Sequence, residues 1–201
     1  DLYILEYTGG KLHIPTISTK KSVSLIKEAK KKGLNVTCSV AITNLLLTDD
    51  VLSSFDTNYK LLPPLRTSID IKALLKGIKE GVIDAITSDH NPIDIEHKKI
   101  EFDHALYGSI GLESCFGALN SLFSTVMSIK MLTGLKKEFS VETIGIEENN
   151  TANITLFNPS GEWIFSEKHI LSSSKNSALI KSKLKGNVYG IFANKKLVLN
   201  K

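Results

Sequence analysis

The sequence predicts an α/β protein, with parallel strands joined by helices over the first two-thirds and a small β subdomain after them. Three observations carry this. Up to about residue 132, short apolar runs alternate with helical patterns closed by glycine. The last third breaks into short strand patterns separated by Gly, Asn and Ser turns. Between them, the apolar run from Val82 to Thr87 ends in Ser88-Asp89-His90-Asn91-Pro92 and opens a long polar loop. Repeated strand–helix units imply parallel strands with right-handed crossovers. Four such strands fit either an open sheet or half of a closed barrel.

The elements follow in order. Asp1 to Tyr7 has the pattern of an amphipathic helix end, closed by Gly9-Gly10. With no initiator Met, the chain is expected to begin inside a larger protein. Leu12 to Ile17 reads as a strand. Ser18 or Thr19 can cap a helix to about Lys32, with Val23, Ile26 and Ala29 on one face and Gly33 as its stop. Asn35 to Val40 is a second strand, and Leu45 to Asp50 a loop leading to a short capped turn. Tyr59 to Leu62 is a third strand, broken by Pro63-Pro64. Ser68 caps a helix with Ile71, Leu74, Leu75 and Ile78 inward and Gly81 as its stop. Val82 to Thr87 is the fourth strand. Residues 89 to 107 form a polar loop, and Gly111 to about Leu132 is mainly helical. Strands are expected over 141–146, 153–157, 163–165, 188–192 and 196–199, with hairpin connections at Asn158-Pro159-Ser160-Gly161 and Ala193-Asn194. The boundary is placed at 138/139: residues 1–138 form the first domain and 139–201 the β subdomain.

Composition narrows the function classes. With 201 residues, 42% hydrophobic and 23% charged, the chain reads as globular. A net charge of +4 is modest. The densest basic run, Lys27, Lys30, Lys31 and Lys32, falls on a helix as a solvated outer face. No aromatics alternate with it for base stacking, so no nucleic-acid partner is expected. Cys38 and Cys115 fit no metal spacing and read as buried thiols in a reducing compartment. No signal peptide or spanning apolar run is present, which points to the cytoplasm and no membrane partner.

Asp89 is the leading candidate for chemistry. A carboxylate at the end of a buried parallel strand reaches a pocket mouth, where it can hold a metal and accept a proton from bound water. The alternative is an Asp that shapes a turn before Pro92. His90 could hydrogen-bond at the same mouth. His97 and His104 share its loop at spacings that suit no compact metal motif. His13 reads as a satisfied histidine of the wall, His169 as a surface residue and Trp163 as core. Arg66 could hold a carboxylate or join an ion pair.

Seven runs, in order and over nearly the whole chain, resemble the C-terminal half of a dihydroorotase of the long class related to multifunctional pyrimidine-synthesis proteins. They are Ile17-Ser18-Thr19-Lys20, Leu45-Leu46-Leu47-Thr48-Asp49, Pro63-Pro64-Leu65-Arg66, Ser88-Asp89-His90, Gly108-Ser109-Ile110-Gly111-Leu112-Glu113, Ala152-Asn153-Ile154-Thr155-Leu156-Phe157 and Ser174-Lys175-Asn176-Ser177. The resemblance implies the C-terminal part of a (β/α)₈ TIM-like barrel plus a β subdomain, in the amidohydrolase superfamily. It implies reversible cyclisation of N-carbamoyl-aspartate to dihydroorotate, assisted by zinc. Asp89 would be the metal ligand and the catalytic proton shuttle. Gly108, Gly111, Leu112 and His90 would bind substrate.

The same resemblance marks departures. Thr16 stands where the family has a metal-binding His, and Thr43 and Asn44 stand at a His pair. Leu62 replaces a substrate-contacting Asn. Ile93 replaces the His that grips the substrate carboxylate, a contact worth roughly 1.5–3 kcal/mol for a charged group. The family's His-x-His and bridging carboxylate lie upstream. Two functions are therefore expected. One is a cyclic amidohydrolase of which these residues alone are inactive. The other is a degenerate, non-catalytic paralogue that scaffolds aspartate carbamoyltransferase. Unpaired barrel edges would favour a homo-oligomer.

Overall fold

The computed structural model describes residues 1–141 and 145–200. Helix α1 (Leu2–Thr8) ends at Gly9, whose N–H donates to Leu5 O and whose φ is 72°. Helix α2 (Lys20–Lys31) starts where the Thr19 hydroxyl accepts from Ser22 N at 3.1 Å, and buries Val23, Ile26 and Ala29. Its basic face is neutralised locally: Lys27 pairs with Glu80 at 2.6 Å, Lys30 with Asp84 at 2.7 Å and Lys32 with Glu6 at 2.8 Å. Three of the four run lysines thus hold carboxylates.

Strands β1 (Leu12–Ile14), β2 (Val36–Ala41) and β3 (Ala85–Thr87) form a parallel sheet in that order. The crossover helices α2 and α4 (Ser68–Lys79) pack on each other, closely enough that a Cβ on Gly77 would lie 3.0 Å from Val23 Cγ1. Strand alternation sends Val36, Cys38 and Val40 into the core. It sends His13, Thr37, Ser39, Ala85 and Thr87 to the other face. Both thiols are buried, which pushes each up to about 12 and leaves it inert.

The expected third strand, Tyr59 to Leu62, does not form. Thr57–Tyr59 is a 3₁₀ turn, with Asp56 accepting from Asn58 N at 2.9 Å, and a loop follows. Pro63-Pro64 offers no N–H to a ladder, so β2 pairs directly with β3. The outer strands are shorter than expected. Pro15 and a left-handed Thr16 (φ 46°) stop β1. The amides of Val82 and Ile83 close helix α4 by donating to Gly77 O, which delays β3. After the short helix α3 (Thr43–Leu46), the long expected helix is two, α5 (Leu112–Leu122) and α6 (Thr125–Thr133). Ser124 caps the second by accepting from Met127 N at 3.3 Å.

The β subdomain is an antiparallel sheet of β4 (Ile154–Ile164), β5 (Lys183–Ala193) and β6 (Lys196–Leu199). The strands expected over 153–157 and 163–165 are two stretches of one strand. Asn158-Pro159-Ser160-Gly161 is a bulge within it, not a hairpin, because β5 is long enough to pair on both sides. Buried Asn120 of α5 holds that bulge by donating to Pro159 O and Lys185 O. Asn194-Lys195, both at positive φ, is the two-residue hairpin between β5 and β6. The strand expected over 141–146 centres on residues outside those described. His169, expected at the surface, is half-buried: it packs 4.7 Å from the Trp163 ring, and its Nδ1 accepts from Ser166 N. Leu184 and Phe165 share one core with Ala118 and Leu119. Among the described residues no helix is long and apolar enough to cross a membrane.

The loop after β3 is anchored by two buried lysines that have no carboxylate partner among the described residues. Lys60 donates to Phe102 O and Asp103 O and lies 5.1 Å from the Tyr107 ring centre; Lys98 donates to Thr57 O at 2.9 Å. Burial first, then Lys60, pushes the Lys98 ammonium down from 10.5 to about 8, with Asp56 acting the other way. The unfolded chain holds that proton more tightly. Stability should therefore rise with pH between about 8 and 10.5. Lys98→Met should raise stability at pH 7 by about 1–2 kcal/mol and flatten that rise, since an unpaired buried charge is removed. Urea unfolding at pH 7 and pH 10 measures both; a less stable Met variant would refute the account.

Candidate active site

Strand β3 delivers Ser88 and Asp89 to the C-terminal edge of the parallel sheet, where sites in such sheets assemble. Asp89 is left-handed at φ 48°, a conformation stabilised by its own N–H donating to Thr87 Oγ1 at 3.1 Å. The residue is half-buried, and burial holds its carboxyl above the ordinary carboxylate range. A strained, desolvated carboxylate at a strand end is expensive to keep and suits a proton acceptor.

Four residues expected from the sequence lie on or against the segment that follows β3. His90 forms a bridge with Ser109, and its Nδ1 accepts from Gly111 N at 3.2 Å and Leu112 N at 3.3 Å. It therefore caps α5, with the ring proton on Nε2. Gly108 has φ 147°, and a Cβ there would lie 2.9 Å from Asn91 O. Gly111 sits so close to Ser88 that a Cβ would come within 2.3 Å of Ser88 O. Leu112 is 65% exposed and lines a cavity whose wall includes Ser88 but not Asp89. That cavity, about 590 Å³, lies on the inner face of the sheet against His13, Ser39, Thr87, Ser88 and Phe116. His13 there is satisfied by Thr37 and Ser39, 2.9 and 3.4 Å away. Arg66 makes neither an ion pair nor a carboxylate contact among the described residues; its Nε donates to Ser18 Oγ at 3.3 Å. His97 and His104 are exposed on the loop.

The residues that the resemblance sets at metal-ligand and substrate positions do not fit zinc. Asn44 is buried, its Nδ2 donating to Pro64 O while its Oδ1 has no partner. Thr16 is turned into the left-handed region, and Leu62 is 66% exposed. Among the described residues, no three of His, Cys, Asp and Glu come together as a ligand set. One carboxylate with hydroxyls and an amide is a poor zinc site.

Sequence reasoning quoted Ser174 to Ser177 without giving it a role. The structure folds this segment onto the site. Asn176, 4% exposed, donates from Nδ2 to Gly108 O and accepts at Oδ1 from Ile93 N. Glu113 Oε1 accepts from Leu171 N and Ser172 N, and Lys175 holds Ile170 O and Ser172 O. The signal for these roles was a run of small polar residues just before apolar Ala178-Leu179, where a buried turn needs internal partners.

A dihydroorotase of Thermoanaerobacter sp. (strain X514) is 38% identical over 194 residues, covering 94% of this chain and 45% of that protein. A dihydroorotase of Endomicrobium trichonymphae is 40% identical over 194 residues, 92% of this chain and 46% of that protein. The chain is homologous to dihydroorotases. It spans about half the length of the curated dihydroorotases it matches. No family model matches it. The L-hydantoinase (dihydropyrimidinase) of Arthrobacter aurescens superposes with a TM-score of 0.89 at 20% identity, over 100% of this chain and 47% of that one. An inactive dihydroorotase-like domain of a Chaetomium thermophilum CAD-like multifunctional protein superposes at 0.71 with 18% identity, over 98% of this chain and 53% of that one. The chain therefore has the fold of about half of each of these structures, in agreement with the partial TIM-like barrel expected from its motifs.

Proposed function

We propose that this chain is the part of a dihydroorotase-like cyclic amidohydrolase that supplies the strand-end carboxylate and the substrate-contacting loop. The reaction is reversible ring closure of N-carbamoyl-aspartate to dihydroorotate, and these residues alone are inactive. The observation that carries the reading is Asp89, half-buried beyond β3 in a chain homologous to dihydroorotases. Asp89 moves the proton. Gly108, Gly111 and Leu112 line the side of the site that meets the ring, Leu112 with its exposed apolar side chain, while the amides of Gly111 and Leu112 are taken by His90, which holds that loop to α5. The family's zinc is not accommodated by the donors present here, and the resemblance puts its remaining ligands upstream. The domain boundary at 138/139, a cytoplasmic location and a homo-oligomer closing the sheet edges belong to the same reading. Turnover of dihydroorotate by the full-length protein, compared with Asp89→Asn, tests it; equal rates would sink it.

A second reading is favoured by Asn44, Leu62 and Ile93, which put an amide and two apolar side chains where the family has its ligand and substrate contacts. On that reading the full-length protein is a non-catalytic paralogue that scaffolds aspartate carbamoyltransferase. It is expected to co-purify stoichiometrically with that enzyme; failure to associate at micromolar concentrations would exclude this role.

A further inference from the structure

The loop that bears Gly108 is not held in place by the barrel alone. Three strips run side by side at the mouth: residues 90–93, 108–110 and 174–178. The first two are joined by the His90–Ser109 bridge and by Asn91 N donating to Ser109 O at 2.8 Å. The third strip belongs to the segment between β4 and β5, and one of its residues, Asn176, ties to both of the others. Asn176 Nδ2 donates to Gly108 O at 3.1 Å, and its backbone O accepts from Ile110 N at 2.8 Å. Its Oδ1 accepts from Ile93 N at 3.2 Å and lies against the Ser174 hydroxyl, which is itself 2.6 Å from Ile93 O. Ala178 N donates to Ser109 Oγ at 2.9 Å, and Ser177 Oγ donates to Ile110 O at 3.2 Å.

A primary amide is the side chain that can do this. It offers a donor at one end and an acceptor at the other in a fixed plane, so it sets the separation of two backbones at once. A carboxylate of the same shape keeps the Ile93 contact and loses the donor to Gly108 O, turning that contact into a repulsion between two acceptors. Ile93 is four residues after Asp89, and Gly108 opens the loop that faces it. The amide of Asn176 therefore spans the segment that follows Asp89 and the loop that opens at Gly108.

We propose that Asn176 is a positioning residue, contributed from the β subdomain, that sets the substrate loop Gly108–Leu112 against the Asp89 segment. This rests on the function proposed above. Asn176 touches neither the substrate nor the reacting atoms, so its signature is in affinity and local order. In the full-length protein, Asn176→Asp should raise KM for dihydroorotate about tenfold or more with kcat changed less than threefold, the pattern of lost ground-state and transition-state binding in equal measure. Hydrogen exchange at the Ile93 and Ile110 amides should speed up, while the amides of Ile191 and Phe192 in β5 keep their protection.

Asn120→Asp is the control. Asn120 is equally buried and also donates to two carbonyls, but it sits at the bulge of β4, away from the mouth. It should lower stability without moving KM. An unchanged KM in Asn176→Asp, or an equal rise in both variants, would overturn the inference while the functional reading stands. A wild-type full-length protein that neither turns over nor binds dihydroorotate would overturn the functional reading, and the positioning role with it.

Discussion

Asn in place of Asp89 is expected to cost the full-length protein about 10²–10⁴-fold in turnover of dihydroorotate, the span of general acid–base catalysis, while making the fold somewhat more stable at neutral pH. The two effects share one cause. Burial raises the Asp89 carboxyl above its usual range. The native state then holds this proton more tightly than the unfolded chain, whose carboxyl titrates near 3.8. Between that value and the raised one, stability falls as pH rises, because the ionised form must sit half-desolvated. Above the raised value the carboxylate is ionised and can accept a proton, so the rate should climb with pH through the region where stability declines. Asn removes both the base and the penalty. A pH–rate profile and a pH series of urea unfolding measure the pair of effects. An Asn variant that keeps the wild-type rate, or that is less stable at pH 7, would contradict the assignment.

The second large effect is expected from Gly111→Ala. A Cβ at this position would lie 2.3 Å from Ser88 O and 3.2 Å from Ser88 C, which are backbone atoms with no rotamer to retreat into. Either α5 must back away from the sheet or the Ser88-Asp89 peptide must move. Overpacking of this kind costs about 1–3 kcal/mol. The shift also lengthens the two bonds by which His90 Nδ1 caps α5, and a lost cap costs about 1 kcal/mol more. A loss of about 2–4 kcal/mol in urea unfolding is the expected result, together with a fall in turnover, since Asp89 follows Ser88. Gly33→Ala serves as the comparison. Gly33 has open space around its Cβ and φ +80°, so only the left-handed penalty of about 1–2 kcal/mol applies. Equal losses in the two variants would show that the contact with Ser88 carries no weight.

Much of this was legible in the chain. Helices α2 and α4 followed from their apolar spacing, the Thr19 cap and the stops at Gly33 and Gly81, all of them local signals. The parallel sheet followed from the alternation of strand and helix, and the family motifs raised half a barrel above the open-sheet alternative. What was missed depended on partners distant in sequence. Tyr59 to Leu62 has a strand-like composition, yet Lys60 is drawn away to the carbonyls of Phe102 and Asp103, more than forty residues on. The bulge in β4 looks like a hairpin until the length of β5 and the amide of Asn120 are known. His90 was read for its chemistry, and the structure shows the helix it caps.

The sequence by itself determined the class of fold, the kinship with dihydroorotases and the position of Asp89 at a strand end, and the resemblance sets Thr16, Asn44 and Ile93 where imidazoles are expected. These are properties of residue type and order, and periodicity or motif spacing exposes them directly. Only the tertiary structure decided what encloses the carboxylate. It placed Ser88 against Gly111, set His90 on the first turn of α5, and brought Asn176 from the β subdomain between Ile93 and Gly108. The reason is physical: buried backbone groups must find hydrogen-bond partners wherever the packing supplies them, and the partner that satisfies them is chosen by proximity in space, which no local pattern along the chain encodes.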